Sequence, residues 1–318
     1  MNELFAKSDA YRILAADKRA GRLSHAYMLS CEDGDMLGVY LTETAKLVAC
    51  ESSEVYCDDC RVCRLIGSRR HPDVSFYPKD KKLSVADVDE LIADSVIRPI
   101  EIEKRVFVIE KLELLNQNQN KLLKTLEEPP KNVVLIIGTQ KESAILPTIG
   151  SRVKKLSIPP FSTEELLELT KKDFPDRKLA SVCALLSGGK AGKMKAAYES
   201  EDTTELFDHA TKFLGETRSA KDLPVWCGRF SSFDIDRVVS VFKVCIDEAI
   251  KLKCGNRSII DDNSLKIIAD SYPMGALLAI NERLFDVEKS AYYNGNKTML
   301  LDRTLFSVME EKARWLRL

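Results

Sequence analysis

The stretch Ala26-Tyr27-Met28-Leu29-Ser30-Cys31-Glu32-Asp33-Gly34-Asp35-Met36-Leu37-Gly38 decides how this chain is read. Ala26 to Ser30 is a short apolar run of strand length. An acidic loop interrupts it, and helical apolar spacing takes over from Leu37 to Val48. Strand–loop–helix is the opening unit of nucleotide-binding α/β sheets, and the loop is where phosphates sit. The P-loop pattern is G-x-x-x-x-G-K-[ST]. Laid on these positions, Cys31 takes the first glycine and Met36 the second; Leu37 replaces the phosphate-binding lysine and Gly38 the Mg2+-binding hydroxyl. Every defining position is lost. Glu32, Asp33 and Asp35 put carboxylates where phosphates would lie, and like charges a few ångströms apart repel by on the order of kcal/mol in a semi-buried loop. Taken alone, the segment reads as an acidic surface loop that binds no triphosphate.

Working outward, apolar spacing predicts a helix from Leu4 to about Lys18. Strands follow at Val74–Tyr77, Val106–Ile109, Val133–Ile137 and Lys155–Ile158. Ser84 with Asp87 forms a capping box opening a helix, and a further helix runs through Leu122, Leu123 and Leu126 until Pro129-Pro130 ends it, since proline cannot continue a helix. Apolar strands alternating with helices predict a parallel sheet covered on both faces. The strand Val106–Ile109 leads into Glu110-Lys111. Nucleotide hydrolases place a Mg2+-holding Asp at such a strand end. Here the first acid is Glu110 and the next residue is a cation, a second degraded feature where the fold would put it.

Beyond Pro159-Pro160 the spacing is helical throughout. Ser162 and Glu165 form a second capping box, and helices are expected over 163–173, 177–187, 192–200, 203–215, 235–253, 264–271, 274–293 and 297–316, with Gly188-Gly189 ending one of them. The expected organisation is an α/β domain over 1–160, a small helical domain over 161–202 and a larger helical bundle over 203–318.

Four of nine cysteines are crowded as C-x6-C-x2-C-x2-C: Cys50, Cys57, Cys60 and Cys63. They sit among polar residues, so burial does not account for them. Two-residue spacings let a tight loop gather thiolates around one ion, and four sulfurs complete a closed, structural Zn2+ shell. Four thiolates also suit an iron–sulfur cluster, although nothing else in the sequence suggests electron transfer. Cys31, Cys183, Cys227, Cys245 and Cys254 are scattered and read as small core hydrophobes.

Charge excludes other classes. There are 48 Lys+Arg against 49 Asp+Glu, a net charge of -1, and residues 1–160 carry 24 of each sign. A stand-alone nucleic-acid module shows a basic excess, so any DNA contact is local or shared with partner chains. The amino terminus does not read as a signal peptide, and no run reaches the roughly 18 apolar residues of a membrane span. A cytoplasmic, reducing location is the expectation, in which thiols serve metal rather than disulfides.

Several runs together resemble a known family. They are Ser24-His25-Ala26-Tyr27, the four cysteines leading into His71-Pro72-Asp73, Asn118-Gln119-Asn120-Lys121-Leu122-Leu123-Lys124-Thr125-Leu126-Glu127-Glu128-Pro129-Pro130, and Leu146-Pro147-Thr148-Ile149-Gly150-Ser151-Arg152. The chain is similar to the bacterial clamp-loader AAA+ proteins of the DNA polymerase III holoenzyme over 1–160. In the helical remainder the likeness thins to Asn294-Gly295-Asn296 before the last helix. The lost nucleotide loop points to delta-prime-type members rather than the tau/gamma motor.

The resemblance implies an AAA+ unit with a helical lid, a C-terminal collar, and partners in a ring with tau/gamma and delta subunits. That ring loads the sliding clamp onto primer-template DNA. It further implies a stator that binds no ATP and lends an arginine to a neighbour's ATP site. The family's Ser-Arg-Cys motif reads Ser151-Arg152-Val153 here, so the cysteine is replaced and the arginine stays. Thr139 resembles the polar sensor position, and Lys193 stands near the lid arginine position. Two other readings compete. An active AAA+ ATPase would need Lys at 37 and a hydroxyl at 38. A zinc-stabilised DNA-binding module would use Arg61, Arg64, Arg69 and Arg70 near the cysteines.

Overall fold

The structure, a computed structural model, describes residues 2–51, 55–292 and 296–316. Asn294 and Gly295 of the late family-like run lie outside the described residues. Two compact units are present. One runs to Leu169 and takes in Lys190–Gly192; the other holds Thr170–Gly189 and the chain from Lys193 onward.

The first unit is ordered α1 (Asn2–Lys7), α2 (Asp9–Arg19), β1 (Ala26–Cys31), α3 (Gly34–Ala49), α4 (Arg61–Gly67), β2 (Val74–Tyr77), α5 (Val85–Asp94) and β3 (Arg105–Ile109). A 3-10 segment follows over Leu112–Leu122, then α6 (Leu123–Glu127), β4 (Val133–Thr139), α7 (Pro147–Gly150), β5 (Lys154–Ile158) and α8 (Thr163–Leu169). The five strands form one sheet in the order β2-β3-β4-β1-β5, every pair parallel. Every residue of β3 and β4 is buried, as their unbroken apolar runs require of strands covered on both faces. Gly138 in β4 lets α3 pack close: a Cβ there would lie 2.5 Å from Leu41 and 3.3 Å from Leu37. The Ser84–Asp87 capping box is present.

The second unit is helical: α9 (Arg177–Ser187), α10 (Ala191–Glu199, its first two residues belonging to the first unit), α11 (Asp202–Glu216), α12 (Leu223–Phe230), α13 (Ile235–Lys253), α14 (Asn263–Ser271), α15 (Met274–Tyr292) and α16 (Lys297–Leu316). Among the described residues no strand follows Ile158, as expected. Its core gathers Phe213, Trp226, Phe230 and Phe242, with ring centroids 5.4–6.3 Å apart.

Five readings of the sequence are corrected. The first helix breaks at Ser8, whose hydroxyl donates to the Phe5 carbonyl at 2.7 Å and accepts the Tyr11 N–H at 3.2 Å, capping α2. The leucine-rich run is mostly a 3-10 segment, non-helical at Asn116, and α6 has only five residues. Gln119 explains part of this: its amide donates to the Ala144 carbonyl and accepts the Leu146 N–H, both at 3.0 Å, drawing the segment onto the next loop. The helix expected over 163–173 stops at Leu169. Helix α12 has no counterpart in the apolar spacing because Pro224 and Gly228 interrupt it; eight residues hold as a helix through tertiary packing rather than propensity. Of the scattered cysteines, Cys31, Cys183 and Cys245 are buried, but Cys227 is only half-buried and Cys254 is exposed.

Candidate functional site

The parallel register brings the carboxyl ends of β1, β3 and β4 side by side. There Cys31-Glu32-Asp33, Glu110-Lys111 and Thr139-Gln140 share the edge at which open α/β sheets take ligands. Met36 and Leu37, at the second-glycine and lysine positions, are both core residues. Leu37 packs on β4 beside Gly138, so an apolar side chain faces inward where a phosphate lysine would face the ligand. Asp33 stands before α3 yet makes no side-chain cap. Its Oδ2 instead accepts the Gly192 N–H at 2.8 Å, and Lys190 Nζ lies 3.3 Å from Glu32. A Cβ on Gly192 would fall 2.7 Å from Asp33 Oδ1 and 2.5 Å from the Asp35 Cβ; only glycine permits this approach. Two of the three loop acids are thus engaged by the chain's own segment Lys190–Gly192. Burial pushes the Cys31 thiol up to about 11, keeping it neutral.

A second internal pair fills the end of β3. Arg69 Nη2 lies 2.6 Å from Glu110 Oε1, with the guanidinium 4.8 Å from the Phe76 ring centroid. Arg69 holds φ +57°, a left-handed backbone uncommon for a side chain of this size. A Cβ at Gly38 would lie 3.3 Å from Glu110 Oε1 and 3.4 Å from Arg69 Nη2. The place between position 38 and the strand acid, where a hydrolase holds a divalent cation, therefore carries a guanidinium. Thr139 is fully buried, its hydroxyl accepting the Lys141 N–H at 3.1 Å. Lys193 is exposed on α10 in the second unit. Sequence reading missed Arg69 and Gly192, since no local pattern links residues 41 and 159 positions from their partners.

Arg152 sits at the opposite edge, between α7 and the start of β5. Tyr27 pairs with Lys154 and Cys31 with Ile158, so a strand length, roughly 13–17 Å, separates Arg152 from the loop of its own chain. Its guanidinium donates from Nη1 to the Thr148 carbonyl at 2.7 Å and pairs with Glu127 Oε1 at 2.7 Å.

The four crowded cysteines come together. Cys50 closes α3, Cys60 and Cys63 flank the start of α4, and all four Sγ atoms lie within 4.8 Å of one another. Cys50 Sγ is 3.9 Å from Cys57 Sγ and 4.0 Å from Cys60 Sγ. Four sulfurs at about 2.3 Å from one tetrahedral ion would stand roughly 3.8 Å apart, so the set fits a single metal ion. The N–H groups of Cys60 and Cys63 point at the sulfurs of Cys57 and Cys60 at 3.3 and 3.4 Å. Lys18 Nζ donates to the carbonyls of Cys50 and Val55. Three of the nearby arginines are already paired: Arg61 with Glu101, Arg64 with Asp59 and Arg69 with Glu110.

His71-Pro72-Asp73 fastens this region to the sheet. The buried Asp73 carboxylate accepts the N–H groups of Ile100, Glu101 and Ile102 at 2.8, 2.7 and 3.2 Å, while His71 Nδ1 accepts the Asp73 N–H at 3.1 Å. Burial lowers the His71 pKa, keeping the ring neutral.

The sheet order β2-β3-β4-β1-β5 with its helices, followed by a helical second unit, defines an α/β protein with a parallel five-stranded sheet and a separate helical unit. Residues 6–162, just under half of the chain, match the family described as DNA polymerase III, delta subunit, and over that stretch the chain is similar to subunits of DNA polymerase III. It is 28% identical to DNA polymerase III subunit delta' of Bacillus subtilis over 169 residues, 52% of this chain and 51% of that one. With subunit delta' of Pseudomonas aeruginosa it shares 26% over 211 residues, 63% and 64% of the two chains. With subunit tau of Bacillus subtilis it shares 24% over 223 residues, 68% and 38%. The match spans between half and two thirds of the delta' relatives' own length.

One stability prediction follows from Asp73. Burial raises its pKa, but three backbone N–H donors outweigh that and leave it below the ordinary carboxylate value. A depressed folded-state pKa stabilises the fold above the unfolded value near 3.8, and the contribution fades as pH falls through the folded value. Asp73→Asn should cost about 1–3 kcal/mol at pH 7 and should flatten the loss of stability between pH 5 and 2. Urea midpoints across that range check both.

Proposed function

We propose that this chain is a delta-prime-type subunit that binds no ATP itself and lends Arg152 to the ATP site of a neighbouring clamp-loader subunit. The observation that carries the reading is the buried Leu37 at the phosphate-lysine position. The Arg69–Glu110 pair and the Asp33–Gly192 bond support it, since they occupy the metal and phosphate places. A triphosphate would have to break these contacts, then face Glu32 and Asp35 without a lysine to offset its charge. A tau/gamma-like motor would need that lysine. A zinc-stabilised DNA-binding module would need a free basic face, and three of its four arginines are engaged by acids.

The position of Arg152 suits action in trans: it lies a strand length from its own degenerate loop and near the surface. A guanidinium is always charged and presents a planar fork that matches phosphate oxygens. Aimed at the γ-phosphate of a neighbour's ATP, it stabilises charge developing as the phosphoryl group leaves. In this proposal 1–160 is the AAA+ domain, 161–202 its lid and 203–318 a collar that joins a hetero-oligomeric ring with tau/gamma and delta subunits. Sliding clamp and primer-template DNA are met through that assembly, in the cytoplasmic replisome. Glu110, Thr139 and Lys193 have no catalytic part in it. Cys50, Cys57, Cys60 and Cys63 would hold structural Zn2+; four protein ligands leave no position for substrate. Their sulfur spacing favours one ion over a cluster, whose bridging atoms would hold the thiolates farther apart.

Arg152→Ala should leave folding and assembly intact and lower the DNA-dependent ATPase of the reconstituted complex by at least about threefold, as one finger among several sites is lost. Unchanged turnover would remove Arg152 from the mechanism. Elemental analysis of the purified chain should find about one zinc per chain, lost in Cys60→Ser; a brown, iron-containing protein would contradict the assignment.

A further inference from the structure

The run Thr125-Leu126-Glu127-Glu128-Pro129-Pro130 takes no part in the nucleotide loop or the cysteine cluster. Its two acids are both exposed but have different surroundings. Glu127 closes α6, and its Oε1 lies 2.7 Å from Arg152 Nη2. Arg152 Nη1 donates to the Thr148 carbonyl at 2.7 Å and to Ser151 Oγ at 3.3 Å. Glu128, one residue on, makes no ion pair among the described residues.

The guanidinium is therefore held from two sides, by a carboxylate on α6 and by a carbonyl on α7. An untethered arginine side chain samples many rotamers and must lose that freedom when it engages a phosphate. Of the five N–H groups in the fork, the two on Nη1 are directed to the Thr148 carbonyl and Ser151 Oγ, while Nη2 faces Glu127 as an ion pair. Among the described residues the Nε–H makes no hydrogen bond, and with Nη2 it forms the side of the fork suited to a phosphate group. Monodentate pairing by Glu127 thus orients the fork without using it up.

We propose that Glu127 is the positioning residue of Arg152: it holds the guanidinium aimed before a neighbour's nucleotide triphosphate arrives. This rests on Arg152 acting in trans as proposed above. The pair is half exposed, so its contribution to folding is small; its consequence lies in the geometry of the finger, where misplacement of a positioned group by an ångström costs rate.

The test is the ATPase of the complex reconstituted with variants of this chain. Glu127→Ala should show at least half of the logarithmic kcat loss of Arg152→Ala, with KM for ATP and complex assembly within about twofold of the unsubstituted protein. Glu127→Gln retains an acceptor oxygen and should show less than about a quarter of that logarithmic loss. Glu128→Ala should have no effect. Glu127→Ala added to Arg152→Ala should cost nothing more, because the residue acts only through the arginine. Unchanged kcat in Glu127→Ala, or an equal further loss on the Arg152→Ala background, would overturn the proposal. If Arg152→Ala itself leaves turnover unchanged, the finger reading fails first, and that outcome is separately visible.

Discussion

The ion pair between Arg69 and Glu110, 2.6 Å long at the carboxyl edge of the sheet, is the constraint around which the candidate site is arranged. A nucleotide hydrolase keeps this place for a divalent cation that bridges phosphate oxygens. Here a fixed cation neutralises the strand acid, and Gly38 leaves room for it beside α3. The phosphate side is treated the same way: Asp33 and Glu32 engage the Gly192 amide and the Lys190 ammonium. Backbone N–H groups at a helix start are natural anion donors, and the anion in this case is the chain's own carboxylate. The β1–α3 loop is therefore occupied by internal charges of both signs. That also explains why three acids in one loop are tolerated: two of them have partners.

The two edges of the sheet carry different chemistry. At the carboxyl edge the loop and strand acids are paired within the chain. At the amino edge Arg152 keeps its charge close to the surface, with Glu127 and the Thr148 carbonyl orienting it. The same parallel register that gathers the lost loop also separates it from the arginine by the length of β1 and β5. In the proposed reading this places the arginine within reach of another molecule's nucleotide rather than its own loop. The cysteine cluster and the Asp73 carboxylate together fasten the α4 region and the 100–102 loop to the sheet.

Much of this was legible in the residues because it rests on short-range patterns. Continuous apolar runs marked β3 and β4; two-residue spacings marked the thiol cluster; the misfit at positions 31, 36, 37 and 38 marked a lost phosphate loop. What was not legible depends on long-range partners. Arg69 reads as one arginine among four until the fold brings it to Glu110. Gly192 reads as an ordinary helix-start glycine until Asp33 is found where its Cβ would be. Helix α12 escaped because packing of Trp226 and Phe230, not spacing, holds it. The leucine-rich run misled because Gln119 bonds outward to the 144–146 loop and loosens the helix, as polar side chains do when they compete for backbone groups.

The central claim is that the chain's own side chains have replaced nucleotide at this edge. Calorimetric titration of Mg-ATP into the purified full chain tests it most directly. The account predicts no binding heat up to about millimolar nucleotide, the weak end of the affinity scale. Saturable binding with a Kd in the micromolar range would contradict it.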